Sequence, residues 1–490
     1  MGSQETDKMT SKRKRDWADS PIPLSSLEEK IFGFLVKVLK DERRKTVLRV
    51  AGGWVRDKLL QLACDDIDID IALDDISGKD FAHIVEGHLE KSSEHSSVAV
   101  IHMNPDKSKH LETARIKIFD VWIDLVNLRT ETYADSSRVP DIVFGTAEED
   151  ALRRDLTINA LFYNINDGVV EDLTGSGLTD LREGIIRTPL EPRTTFLDDP
   201  LRALRAIRFA GKLGFKVSPD IIEACRLPEV RSALEAKVSK ERIGVEVDKM
   251  LCSGSPLTCV SLLHDLSLFT SVFLPNGMPK MDPLEFEIEE APMRCLNTVS
   301  KFLSTLESSE RSLPKELLRI GLFASLLRPF GGKNVHSAES KPNRPVTVAA
   351  HIIRHCLKLR GRDADEVNII HVCSAKLENP SFVRNRLNLG TLVRESKELL
   401  PTVLLHSQSQ NEDISAEEIH RTIIEMKLEN AASLKPLLNG KQVMKLLPKL
   451  PKGPELGEIM QEQIEWQLAN QEVKEDQCKQ WIAEKHVNFL

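Results

Sequence analysis

Apolar positions recur at every second residue in several short runs of the first 190 residues and at every third or fourth residue beyond them. That switch in period predicts a sheet-containing region followed by a helical one. A helix is expected from Ser25-Ser26-Leu27-Glu28, a serine cap before an acidic first turn, through Leu39. A strand over Thr46–Val50 then leads into Gly52-Gly53, followed by a helix over 54–62 and a strand over 67–73. Phe81–Leu89 reads as helix, and Ser97–His102, Thr113–Ile118 and Val121–Val126 read as strands, with a charged loop from His102 to His110. Together these elements predict a small mixed α/β region around a twisted sheet, ending near Pro189.

From Asp198 the pattern becomes helical, with helices expected over 198–213, 218–224, 229–235, 239–251 and 256–266. Pro275-Asn276-Gly277-Met278-Pro279 interrupts this run before another helix-rich block. Residues 333–345 read as an exposed loop, and Glu455–His486 as one solvated helix. No internal repeat emerges.

Within the predicted sheet, Asp66, Asp68 and Asp70 alternate with Ile67, Ile69 and Ile71. The isoleucines can enter a core while the three carboxylates share the opposite face. An acidic strand of this kind can simply be a wet face, but crowding like charges is costly unless a cation compensates. Mg2+ held against a triphosphate would do so, because hard cations take oxygen ligands. Gly52-Gly53 lies just before a helix-forming run carrying Arg56 and Asp57, where backbone N–H groups can receive phosphate oxygens. The segment is neither a GxGxxG dinucleotide signature nor a GxxxxGK[ST] loop. Ladder and glycines together point to nucleotidyl transfer.

Bulk properties narrow the setting. At 490 residues the chain exceeds one ordinary core, so two to four domains are expected, and 41% hydrophobic residues suffice to fold them. A net charge of -8 argues against a surface coated for nonspecific nucleic-acid binding, yet leaves room for a locally basic RNA groove. Eight cysteines without a CxxC pair or zinc spacing are expected to be reduced, mostly buried thiols. No run approaches the length of a membrane span, and no secretory signal pattern is present. Residues 1–20 are polar and expected to be disordered; Lys12-Arg13-Lys14-Arg15 reads as either a nuclear targeting patch or a solvated tail. The expected setting is intracellular, cytoplasm or nucleus, with room for a mitochondrial pool.

The segment Gly-Gly-Trp-Val-Arg-Asp-Lys-Leu-Leu at 52–60 with its Asp-x-Asp strand resembles the catalytic opening of the class II tRNA nucleotidyltransferase family, the CCA-adding enzymes and related bacterial poly(A) polymerases. The resemblance implies an α/β nucleotidyltransferase head with a small mixed sheet over 25–190 behind a basic tail of 1–24. An all-helical neck would follow over 191–275, then a helical body and tail over 276–490 that bind tRNA. It further implies that paired aspartates hold two catalytic Mg2+ ions. Counting forward from Lys58-Leu59-Leu60 selects Asp66 and Asp68, whereas counting back from Ile71-Ala72-Leu73 selects Asp68 and Asp70. Loops tolerate length changes better than strands, which favours Asp68 and Asp70. Asp124 is a candidate third carboxylate or an ordinary surface group.

Two further motifs carry the resemblance. Asp150-Ala-Leu-Arg153-Arg154-Asp155-Leu-Thr157-Ile-Asn159-Ala160 resembles the family's RRDFTINA segment, with Leu156 replacing phenylalanine. It implies that Arg154, Asp155 and Asn159 contact the nucleotide's sugar and phosphates; on its own, Asp150 with Arg153 reads as a helix-surface ion pair. Asp198-Asp199-Pro200-Leu201-Arg202 resembles the family's EDxxR element, with Asp198 as a candidate helix cap and in place of the glutamate. The implied role of Asp199 and Arg202 is to read the Watson–Crick edge of CTP and ATP, while Arg205 and Arg208 continue a basic stripe suited to phosphate. Ser239 and Arg242 fall in a helix that would cap and clamp this pocket. His264-Asp265 lacks the companions of a metal site.

The implied reaction is template-independent addition of C, C and A to the tRNA 3′ acceptor end from CTP and ATP, releasing pyrophosphate. Alternatives are a poly(A) polymerase, an enzyme adding only CC or only A, and a catalytically silent RNA-binding protein. Oligomeric state is not legible.

Overall fold

A computed structural model describes residues 22–62, 68–91, 97–101, 113–132, 141–281, 288–309, 311–336, 345–451 and 453–489. Expectations for the N-terminal tail with Lys12–Arg15, for Cys64, for Asp66 and for the loop at His102–His110 fall outside the described residues, or nearly so. The chain divides into two compact units, which meet in sequence at Asn276 and Gly277.

The first unit opens on α1 (Ser26–Asp41), whose start is set by a capping box: the Ser25 hydroxyl accepts from the Glu28 amide at 3.3 Å and the Glu28 carboxylate accepts from the Ser25 amide at 2.7 Å. Then come β1 (Leu48–Ala51), α2 (Gly53–Leu59), β2 (Ile69–Leu73), α3 (Gly78–Lys91), β3 (Ser97–Ile101), β4 (Thr113–Ile118) and β5 (Val121–Asn127). A hairpin of β6 (Arg129–Thr132) and β7 (Asp141–Phe144), helix α4 (Ala147–Leu152), and strands β8 (Phe162–Asn164) and β9 (Val169–Glu171) complete the region. Seven strands form one mixed sheet in the order β3-β4-β5-β2-β1-β8-β9. β2 and β5 run parallel, and β2 meets β1 antiparallel. Strands β8 and β9 escape the reading from alternation because each has three residues, too few to establish a period.

Helices then follow: α5 (Gly177–Glu183), α6 (Pro192–Asp198), α7 (Leu201–Leu213), α8 (Pro219–Arg226), α9 (Pro228–Lys237), α10 (Lys240–Leu251), α11 (Pro256–Asp265) and α12 (Phe269–Phe273). The helix expected over 198–213 is in fact two. Pro200 disfavours helical geometry at the residue before it, and Asp199 accordingly sits at φ -131, ψ 97. Asp198 therefore closes α6 instead of capping α7, and the Asp199 carboxylate accepts from the Leu201 amide at 3.2 Å. Gly211 lets α7 press against α11, since a Cβ there would collide with the Cys259 sulfur.

The second unit is chiefly helical, including α13 (Ala291–Ser308), α14 (Lys315–Leu327), α15 (Gly361–Leu377), α16 (Arg386–Ser396), α17 (Leu400–Gln410), α18 (Ala416–Glu425), α19 (Pro454–Ala469) and α20 (Glu475–Lys485). A buried ion pair, Arg319 to Asp363 at 2.9 and 3.1 Å, ties α14 to α15. The single solvated helix expected over 455–486 is replaced by the hairpin α19–α20. Its inner side buries Ile459, Cys478 and Ile482 with Leu438 and Val443, and Trp466 stacks on Trp481 at 5.2 Å. An apolar seam hidden among Glu, Gln and Lys explains the turn. Of 333–345, residues Asn334–His336 form a strand, not a loop, and 337–344 lie outside the described residues.

Candidate active site

The alternation read in β2 holds: Ile69 and Ile71 are 1% and 0% exposed, while Asp68 and Asp70 face solvent. Parallel pairing sets Asp124 of β5 directly beside Asp70, and β4 sets Arg115 opposite Asp124. Arg115 Nε lies 3.0 Å from Asp124 Oδ1, off the line of a hydrogen bond, and its guanidinium stands over the Trp122 ring. Burial pushes the Asp70 carboxyl up to about 6, with Asp68 and then Asp124 adding like charge, against weaker opposing pulls from Arg154 and Arg115. Although its tip reaches water, Asp70 lies in the wall of a cleft of about 610 Å³ that Asp68, Gly53, Trp54, Arg56 and Lys58 also line.

Among the described residues, no three His, Cys, Asp or Glu side chains converge to hold a metal by themselves. Asp124 is drawn toward Arg115, and of the carboxylates lining the cleft Glu28 is paired with Lys58 and Asp57 with Arg56, which leaves Asp68 and Asp70. Two carboxylates with unrelieved repulsion fit a divalent cation whose remaining oxygens come from phosphate. Asp68 and Asp70 are the pair the structure describes, Asp66 being outside it.

Above the carboxylates runs a guanidinium network seeded by the glycine turn. Gly52 has φ 74 and ψ -123, a conformation open to glycine, and a Cβ there would sit 3.1 Å from Arg154 Nη1. Its amide donates to the Leu161 carbonyl at 3.0 Å, so Gly53 is the first of the pair whose amide is left at the helix start. Arg56 is 3% exposed; it donates to Asn159 Oδ1 and, at 2.8 Å, to Asp57 Oδ1. Arg154 donates to the Asn159 carbonyl at 3.4 Å and makes two bonds to buried Asp150, whose other oxygen accepts from Arg153 at 2.9 Å. Burial would raise the Asp150 carboxyl, but Arg154 and Arg153 hold it below the usual range.

Asp155 couples this turn to helix α7. Its Oδ1 accepts from the Leu156 amide at 2.9 Å and from Asn159 Nδ2 at 3.2 Å, and its Oδ2 accepts from Arg205 Nε at 2.7 Å. Burial pushes Asp155 up, yet Arg205, the Asn159 bond and Arg202 together keep it below the usual carboxylate value. Arg208 donates to buried Glu246 at 2.6 Å, and the guanidinium groups of Arg56, Arg205 and Arg208 lie 4.8, 5.6 and 4.2 Å from the Phe209 ring centroid. Asp199 Oδ2 accepts from Arg242 Nη2 at 3.0 Å, while Arg242 Nη1 is buried without a hydrogen bond. Thus Gly52, Gly53, Arg56, Arg154, Asp155, Asn159 and Arg205 form one connected group, and Arg208 joins a neighbouring one through Glu246. Asp199 sits at the α6–α7 junction and Arg202 is the second residue of α7.

Asp150 and Glu246 emerge as supports that residue type alone left unassigned. For Asp150 the signal was present in its spacing to Arg153 and Arg154; Glu246 acts across 38 residues of sequence and left none. The cap expected from Ser239 is absent, since its side chain makes no cap bond to α10, although Arg242 does reach Asp199. His264 pairs with its neighbour Asp265 at 3.0 Å. Among the described residues no cysteine forms a disulfide; Cys252 is exposed and six others are buried. No described helix is long and apolar enough to cross a membrane.

Comparison with known proteins extends this geometry. Residues 48–187 match the poly A polymerase head domain, and residues 214–281 match a family described as "Probable RNA and SrmB- binding site of polymerase A". A tRNA nucleotidyltransferase of Schizosaccharomyces pombe is 33% identical over 94% of this chain and 99% of its own. A mitochondrial CCA tRNA nucleotidyltransferase of Saccharomyces cerevisiae is 35% identical over 86% of this chain and 85% of its own. The structure of the Bacillus stearothermophilus CCA-adding enzyme in complex with CTP superposes with a TM-score of 0.66 at 20% identity, covering 95% of this chain and 99% of that one, which shows a shared fold. With matched identity along nearly the whole length of a curated relative, this chain belongs to the tRNA nucleotidyltransferase family that contains the CCA-adding enzymes.

Proposed function

We propose that this enzyme adds C, C and A without a template to the 3′ acceptor end of tRNA, using CTP and ATP and releasing pyrophosphate. The observation that carries the reading is the only partly compensated Asp68–Asp70 wall, set in the same cleft as the glycine turn. The terminal ribose hydroxyl attacks the α-phosphorus as the bond to pyrophosphate breaks. Two Mg2+ ions held by Asp68 and Asp70 would lower the hydroxyl's pKa and balance charge on the triphosphate. No covalent nucleophile is needed, because positioning and electrostatics suffice.

The chain's own groups divide the remaining work. Arg154 lies within the field of Asp70 and is braced by Asp150, so it can hold phosphate beside the carboxylates. Arg56 and Asn159 keep Gly52-Gly53 at a fixed distance from Asp155. Asp199 accepts the exocyclic amine that cytosine and adenine share, and Arg202 donates to the ring acceptor beside it. Uracil and guanine present the opposite pattern at that edge, which gives selectivity a physical basis. In this reading 25–190 act as catalytic head, 191–275 as neck and 276–490 as an RNA-binding body and tail. The protein would then occupy a compartment containing tRNA, and fractionation would separate a cytosolic or nuclear pool from a mitochondrial one.

The head's match to poly A polymerase favours one second reading, AMP addition alone. Extension of tRNAs ending before, within and after CC, with labelled nucleotides singly and mixed, separates the two. Addition of C, C and A followed by arrest is expected; indefinite AMP addition without use of CTP would overturn the CCA reading.

A further inference from the structure

The second unit contains a polar cavity of about 670 Å³ for which the reaction above has no use. It opens between the last turns of the segment around Arg328 and the outer face of α13, and its wall includes Arg294, Asn297, Lys301, Arg328, Lys333 and Glu378. Four cations therefore face one carboxylate, in a chain whose net charge is -8. Three of the charges are partly answered: Arg294 by Glu290 at 3.0 Å, Arg328 by Glu378 at 3.3 Å, and Lys333 by an interaction of its own. Lys301, exposed on α13, brings an ammonium to the same wall. Among the described residues no aromatic ring lines the cavity, so these offer a nucleobase nothing to stack on. Its chemistry suits a charged oxyanion with two unesterified oxygens, which a guanidinium fork and an ammonium can share.

We propose that this cavity is a phosphate-binding site that takes a backbone phosphodiester of the RNA substrate. The assignment rests on the tRNA-extending reading above and adds a specific anchor in the second unit, carried chiefly by Arg328 and Lys301. The anchor adds affinity without reading sequence, because phosphate contacts position and base contacts specify.

The test measures binding of full-length protein to tRNA without nucleotide, over a range of salt, for wild type, K301A and the pair K301A/R328Q. The anchor holds one phosphate, so its loss in the double variant should remove roughly 0.7 to 0.9 from the slope of log affinity against log salt and lower affinity roughly tenfold at moderate salt. In parallel extension assays KM for tRNA should rise while KM for CTP stays at the wild-type value. K301A alone, at an exposed position, carries the test if the double variant melts early, with about half the slope change. Wild-type affinity and slope in both variants would overturn the proposal. So would thermal protection by inorganic phosphate that the double variant loses while its RNA binding is untouched, which would assign the site to a free anion. Wild-type CMP incorporation, run alongside, separates the two readings: if it is present while the variants bind normally, only the anchor falls.

Discussion

The two halves of the candidate active site handle charge in opposite ways. At the entry to β2, Asp68 and Asp70 face one another's charge with Asp124 close by, and Asp70 is pushed up to about 6. In the turn after α4, Asp155 is more deeply buried yet lies below the usual carboxylate range, because Arg205 and Arg202 of α7 and the neighbouring Asn159 surround it. One half is left unsatisfied until a cation and a triphosphate arrive; the other is complete before any substrate binds. Preorganised groups lose little on binding, whereas a strained pair makes ligand binding favourable by relieving repulsion.

Breaking the unsatisfied half should have the largest effect. Asp70→Asn should lower the single-turnover rate of CMP incorporation by about 10³-fold or more while tRNA affinity stays near wild type. Comparable rates in wild type, D68N and D70N would remove the metal assignment. Breaking the satisfied half should instead register as instability. Arg205→Ala leaves the Asp155 charge buried and should cost about 3 kcal/mol by urea denaturation. D155N/R205A should recover part of this, since asparagine carries no orphaned charge; no recovery would mean that Arg205 acts through packing.

The glycine turn joins the halves, and Gly52→Ala should cost about 2 kcal/mol from its backbone angles and displace Arg154 as well. A drop in Tm with an unchanged KM for CTP would confine Gly52 to a folding role. On α10, Arg242→Ala should release Asp199 and narrow discrimination of CTP and ATP from UTP and GTP by about tenfold, measured as kcat/KM ratios. Equal loss for all four nucleotides would show that Arg242 does not orient a base reader.

The smallest effect sharpens the comparison most. Asp70 is raised from 3.8 to about 6 on folding, so its contribution to stability is fully present below the unfolded value and is lost as pH rises through 6. Metal-free wild type should therefore lose about 1 kcal/mol relative to D70N between about pH 4 and pH 7, a figure already reduced for solvent screening. Added Mg2+ should raise the Tm of wild type but not of D70N. Parallel pH profiles for the two proteins would mean that the pair is not strained.

Much of this site is legible in sequence because its groups are local. Asp68 and Asp70 share a face by the period of a strand, Arg153 and Arg154 reach Asp150 by the period of a helix, and Gly52-Gly53 marks a turn by composition. Legibility fails where an element is short or a partner distant. Strands β8 and β9 are too brief to show a period, and the α19–α20 hairpin hides its apolar seam in a polar segment. The Pro200 break was visible as a residue, but its consequence, Asp199 placed between two helices, depends on backbone geometry.

By itself the sequence determined the order of sheet and helices, the shared face of Asp68 and Asp70, and the stripe of Arg202, Arg205 and Arg208, because these follow from periods of two and of about three and a half along one chain. Only the tertiary structure decided which charges meet. It brought Arg205 to Asp155 across 50 residues, Arg208 to Glu246 across 38 and Arg242 to Asp199 across 43, and it left Asp70 beside two like charges. Electrostatic energy depends on distance in space and on burial, and neither is a property of spacing along the chain.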